Sequence, residues 1–170
     1  MIYSFIANDS IWNVNEKYLI NDIEAPLLYF VIKDESIGLV QLLLAKPEID
    51  VNATSITFYT TKEGIQKKKK QRSLLNIAVE NEKVEIIQYL LTKPGIDVNA
   101  NDIDCVEHYD LHITESSEEI PHLYHENQYT ALYIAIRKGN NIIVNLLLDI
   151  PVFDINYIFA LLTFSIKWRA

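Results

Sequence analysis

The run Ile49-Asp50-Val51-Asn52-Ala53 returns as Ile96-Asp97-Val98-Asn99-Ala100 and, in worn form, as Phe153-Asp154-Ile155-Asn156-Tyr157. Each copy closes a segment of about thirty residues with the same apolar rhythm, and a tandem repeat constrains architecture more tightly than any single motif. The three segments align without gaps. One runs from Pro26 to Leu44, the next from Ser73 to Leu91, and the last from Thr130 to Leu148. Within each, apolar residues recur at spacings of three and four, which predicts two short amphipathic helices. Ser73 and Thr130 stand where an N-cap belongs, because a hydroxyl can accept from the free amides of a first turn. Pro47, Pro94 and Pro151 follow the second helix of each unit and prevent its continuation. Each unit thus reads as helix, tight turn, helix and an extended stretch. So short a helix pair cannot bury its apolar face alone, and stacking pairs side by side does so.

These residues resemble a known family. Ser73-Leu74-Leu75-Asn76-Ile77-Ala78 and Thr130-Ala131-Leu132-Tyr133-Ile134-Ala135 are similar to the Thr-Pro-Leu-His-x-Ala signature of ankyrin repeats. Gly139 to Leu148 resembles the family's second-helix pattern, and Ile96 to Ala100 resembles its closing phrase. The signature histidine is absent. The interhelix glycine survives only as Gly139, with Glu35 and Glu82 in its place, and a left-handed residue other than glycine costs about 1 kcal/mol or more. The resemblance implies an all-α solenoid of helix-turn-helix units with extended or β-hairpin fingers, two of them enlarged.

The expected division is a single array: 1–24 a partial repeat, 25–53 a first repeat, 54–71 a basic insertion, 72–100 a second repeat, 101–128 an acidic insertion, 129–157 a third repeat and 158–170 an apolar tail. Asn13-Val14-Asn15 aligns with Asp50-Val51-Asn52, so the chain begins halfway through a repeat. Residues Tyr157 to Ile166 are apolar enough for another helix but fit the register poorly. Tails that fold back as caps, a piece of a longer array and a degenerate fragment are all readings this pattern allows.

Ankyrin units recur about every 33 residues, and the steps from Pro26 to Ser73 and from Ser73 to Thr130 are longer. The first insertion carries Lys62, Lys67, Lys68, Lys69, Lys70 and Arg72 against Glu63 alone. Its plain reading is a solvated loop. Lys67 to Arg72 also has the composition of a nuclear-import peptide or a contact for anionic lipid or RNA, although no aromatic residues interleave with the lysines for base stacking. The second insertion holds Asp102, Asp104, Glu107, Asp110, Glu115, Glu118, Glu119 and Glu126, with Cys105, His108, His112, His122 and His125 among them. Spacings of Cys-x2-His, His-x3-His and His-x2-His suit a tetrahedral zinc site. Structural zinc sites usually bring at least two cysteines, and the reading taken is a disordered acidic finger, with zinc binding as the alternative. Opposite signs would also let the two insertions associate, each exposed pair contributing at most about 1 kcal/mol.

The remaining bulk features narrow the function. A net charge of −8 disfavours nucleic acid as main partner. One cysteine excludes an internal disulfide and fits a reducing, intracellular setting. The amino end lacks a basic n-region, and the longest late apolar run is about half a membrane span. Cytoplasm is the default location, with the nucleus open through Lys67 to Arg72. With four glycines there is no phosphate-cradling loop, and neither Gly-x-Ser-x-Gly nor His-Glu-x-x-His occurs. The expectation is therefore a non-enzymatic module with no cofactor and no small-molecule substrate, holding a protein partner. By resemblance, the contact surface is the concave face of fingers and first helices. The matching positions are Lys33 and Asp34, Glu80 and Asn81, Arg137 and Lys138, with Arg72 and Tyr129 just before their helices.

Overall fold

The computed structural model describes residues 13–60, 66–108 and 122–150, with backbone alone for 59–60, 66–69, 104–108 and 122–128. Three helix pairs form where the apolar spacing predicts them. They are α1 (Leu27–Lys33) with α2 (Ile37–Leu44), α3 (Leu74–Glu80) with α4 (Val84–Leu91), and α5 (Ala131–Lys138) with α6 (Asn141–Leu148). Helices α1, α3 and α5 pack in one row, and α2, α4 and α6 in the other. The core lies between the rows, with Leu28, Ile32, Leu43, Leu75, Ile87, Leu90, Leu132 and Leu147 fully buried. The Ser73 hydroxyl accepts from the Asn76 amide and that of Thr130 from the Tyr133 amide, so both caps act as the sequence suggests.

The all-α expectation is overturned. Six strands, β1 (Lys17–Ile20), β2 (Ile23–Pro26), β3 (Thr54–Thr60), β4 (Gln66–Ser73), β5 (Asp102–His108) and β6 (His122–Tyr129), form one antiparallel sheet in chain order. The insertions read as a solvated loop and a disordered finger contribute four of these strands. Thr54, Ile56, Thr57, Phe58, Tyr59 and Thr60 are β-branched or aromatic, and such residues fit a pleated, half-buried surface. A lysine run has little strand preference of its own. Here β4 is held by partners on both sides, paired with β3 from Thr60↔Lys67 to Thr54↔Ser73 and with β5 from Gln66↔His108 to Gln71↔Ile103. The basic and acidic insertions therefore do associate, through a backbone ladder in which Lys67 stands opposite Glu107 and Lys70 opposite Asp104. The first finger joins its neighbour more sparingly, through Ile23↔Thr57 and Glu24↔Ile56.

The recurring phrase has a physical explanation. Its aspartate, Asn13 in the partial unit, makes an Asx turn: Asn13, Asp50 and Asp97 each accept on the side chain from the amide two residues on, at 3.0, 2.9 and 3.0 Å. Its asparagine hooks the next unit. Asn15 donates to the Glu48 carbonyl at 2.7 Å and accepts from the Asp50 amide at 2.8 Å. Asn52 does the same to the Gly95 carbonyl and the Asp97 amide, at 2.7 and 2.8 Å. Only a short side chain with both a donor and an acceptor can make this pair of bonds. Replacing Asn52 by alanine should cost about 1 kcal/mol, since both bonds are exposed and water substitutes for them. Urea denaturation of the variant measures this; an unchanged midpoint would mean that the hooks do not couple the units.

The interhelix turns carry the strain that their sequence implies. Glu35, Glu82 and Gly139 all adopt left-handed backbone, with φ of 60°, 56° and 70°. Each closes its first helix with the two amide bonds of a Schellman motif, for example Glu82 N to Val79 O and Lys83 N to Ala78 O. The two glutamates are also used. Glu35 pairs with Lys83 at 2.7 Å, and Glu82 accepts from Lys138 at 3.2 Å and Asn140 at 3.1 Å, each tying its turn to the next. The hydrogen bond from Asn140, then the one from Lys138, holds the Glu82 carboxyl below its ordinary value. A depressed folded value adds stability above the unfolded carboxylate range, and that stability is lost as pH falls through the folded value. The gap in urea midpoint between the parent chain and Glu82→Gln should thus be present at pH 7 and close in acid, as pH falls through and below the ordinary carboxylate range. A gap that persists in acid would show that the carboxylate charge is not its source.

Residues 1–12, Pro151, the third copy of the phrase, the apolar run Tyr157 to Ile166, His112, Asp110, Glu115, Glu118 and Glu119 lie outside the described residues.

Candidate protein-interaction face

The first helices and the strand ends that enter them bring four of the eight expected contact residues, Arg72, Glu80, Tyr129 and Arg137, together in two clusters. In the second unit, Arg72 is the last residue of β4 before the capping Ser73. Its guanidinium contacts Glu80 at the end of α3 and donates from Nε to Asp102 at 2.8 Å. Asp102 is buried at 2% exposure, which contrasts with the disordered acidic finger expected of its segment. One carboxylate oxygen takes Arg72; the other accepts from the Ser73 amide at 2.8 Å and the Asn76 side chain at 2.9 Å. Asn76 occupies the place of the signature histidine and also donates to the carbonyls of Ala100 at 3.1 Å and Tyr129 at 2.9 Å. One side-chain amide thus ties helix α3 to both β5 and β6.

Burial pushes the Asp102 carboxyl up, and the charge of Arg72 with its hydrogen bond, and those from Ser73 and Asn76, offset only part of this. For Arg72, burial works against the charged form, and Asp102 and Glu80 outweigh it, so the guanidinium stays charged. This node is structural in its bonding and lies at the base of the face.

In the third unit, Tyr129 ends β6 and stacks on Tyr133 of α5, with ring centroids 5.3 Å apart and planes at 30°. The Arg137 guanidinium lies over both rings, 5.7 Å from the Tyr129 centroid and 5.9 Å from that of Tyr133. Both distances suit cation–π attraction. Arg137 and Lys138 are exposed, and Lys138 pairs with Glu82 across the turns. In the first unit, Lys33 and Asp34 stand exposed at the end of α1, apart from both clusters; Glu80 and Asn81 are half-buried at the end of α3.

Sequence reasoning passed over Asp102, Asn76, Tyr133 and the hooking asparagines. A signal for Asp102 exists in the aligned units. Where the second has Arg72 and Asp102, the first has Ala25 and Ser55, so the two positions change together. Cys105, His108, His122 and His125 are placed by backbone only, with His108 opposite His122 and Cys105 opposite Glu126. Among the described residues, no group of three His, Cys, Asp or Glu side chains is arranged to hold a metal ion. No helix among them is long and apolar enough to cross a membrane.

Two family models, both described as Ankyrin repeat, match the chain, at residues 70–100 and 127–157. They cover the second and third units and the residues of both clusters apart from Asp102. No curated protein matches the chain. Ankyrin repeats are generally protein-interaction modules, and the family is typically non-enzymatic.

Proposed function

We propose that this ankyrin-repeat protein is a non-catalytic interaction module that holds a protein partner on the face made by α1, α3, α5 and the bases of the fingers. One observation carries the reading. The residues at the ends of three stacked helices, Lys33-Asp34, Glu80-Asn81 and Arg137-Lys138, occupy the same register while their chemistry changes from unit to unit. The buried positions beneath them stay aliphatic: Ile32 and Val79 match, as do Leu28, Leu75 and Leu132. A surface that varies over a constant core is what partner selection needs and what folding alone does not.

The test is an affinity capture with the full chain, followed by measurement of the captured protein's retention. Lys33→Glu, Glu80→Lys and Arg137→Glu together should abolish retention while far-UV circular dichroism stays unchanged. Because Glu80 neutralises Arg72, the pair Lys33→Glu and Arg137→Glu serves as a second variant that leaves that contact intact. Undiminished retention by both variants contradicts the proposed face.

A further inference from the structure

The second and third units differ in charge at the same two positions. Arg72 and Tyr129 each precede an N-cap, and Glu80 and Arg137 lie at the ends of the helices that follow. In the second unit the pair is an ion pair, and Asp102 is a second carboxylate on the same guanidinium. In the third, the partner of the helix-end charge is a pair of stacked rings. Rings orient a guanidinium and leave its charge in place. Among the described residues, Arg137 has no carboxylate partner, and it is exposed. A guanidinium held over two aromatic faces presents its planar fork ready for a carboxylate, with less side-chain freedom left to lose on binding.

One exposed neighbour on the helix is apolar. Ile136 lies beside Arg137 on α5 and is 47% exposed, whereas Ile32 and Val79, at the same position of the other units, are 0% exposed. Tyr133, one turn before, is half-buried. Cation, one aromatic ring and an uncovered aliphatic side chain thus lie within about one turn of α5, from Tyr133 to Arg137.

We infer that the Tyr129–Tyr133–Arg137 shelf, with Ile136 at its side, is the anchor for an acidic segment of a protein partner, one that carries an apolar residue next to its carboxylate. The inference rests on the interaction-module reading and names the partner's chemistry at one point of that face. With a net charge of −8 on the chain, recognition here is a short-range contact and owes nothing to long-range steering.

The experiment is a fluorescence-anisotropy titration of the full chain with a labelled heptapeptide of alternating Asp and Phe, beside the same peptide with Asn for Asp. The acidic peptide should bind at least about tenfold more tightly than the neutral one. Arg137→Ala should remove about that factor, and Arg137→Lys should restore only part of it, because a lysine lacks the fork and stacks poorly. Lys17→Ala, on β1, should leave binding unchanged. Equal binding of the two peptides, no binding of the acidic one, or indifference to Arg137→Ala overturns the inference. Sedimentation of the same samples adds a further arm: an Arg137-dependent dimer would make a second copy the occupant and overturn it as well. If the charge swaps abolish retention of a captured partner while the acidic peptide fails to bind, this inference falls and the broader reading stands.

Discussion

Asp102→Ala should destabilise the chain by about 3 kcal/mol or more, the largest loss expected from any single polar side chain described here. The carboxylate is 2% exposed and accepts three hydrogen bonds, one from a guanidinium that is itself mostly covered. Alanine leaves Arg72 with Glu80 alone and strips partners from the Ser73 amide and the Asn76 side chain. Removing one member of a buried charged pair costs more than the pair contributes, because the other charge stays desolvated. Asp102→Asn keeps the shape and loses the charge, so it should fall between the two. Urea denaturation measures all three. A loss for Asp102→Ala below about 1 kcal/mol, as for an exposed ion pair, would contradict the account of this node.

Leu90→Ala should cost a comparable amount, about 3 kcal/mol, within the usual range for a fully buried leucine. Leu90 lies on α4, the middle helix of its row, and its side chain is completely covered. In a stack whose stability is a sum over neighbours, a cavity there weakens the packing on both sides. Leu147 occupies the same position in the third unit and is equally buried, yet Ile136 and Leu148 of that unit are exposed. The surroundings of Leu147 have more room to collapse, so Leu147→Ala should cost less. Equal losses would mean that the third unit is as tightly packed as the second. Both values come from chemical denaturation of the full chain.

The helical half of the fold was legible because its signals are local. Spacings of three and four, a hydroxyl before α3 and before α5, and a proline after the second helix of each pair suffice to place α1 to α6, and the left-handed backbone at Glu35 and Glu82 follows from where glycine is missing. The sheet was illegible because its cause is not local. Gln66 to Arg72 is strand only because β3 and β5 flank it, and a lysine run looks the same whether solvated or paired. β-propensity depends on neighbours in this way. The same holds for the interaction face. The register of Lys33, Glu80 and Arg137 could be read from the alignment. The fate of each charge could not, since Arg72 is neutralised by a residue thirty positions away while Arg137 rests on two rings. Asp102 looked like one acid among many, and only the joint change with Arg72 between units marks it out.

At the centre of this account is the claim that ankyrin-type helix pairs are locked to one continuous sheet through a finger pairing that the repeat pattern alone does not demand. Amide hydrogen exchange across β4 and β5 tests it most directly. If Gln66 to Gln71 pairs with Ile103 to His108, peptides from both strands exchange slowly, with protection approaching that of α3 and α4, and Asp102→Ala releases both strands together. Exchange of both strands at the unprotected rate, in a chain whose helices are protected, would contradict it.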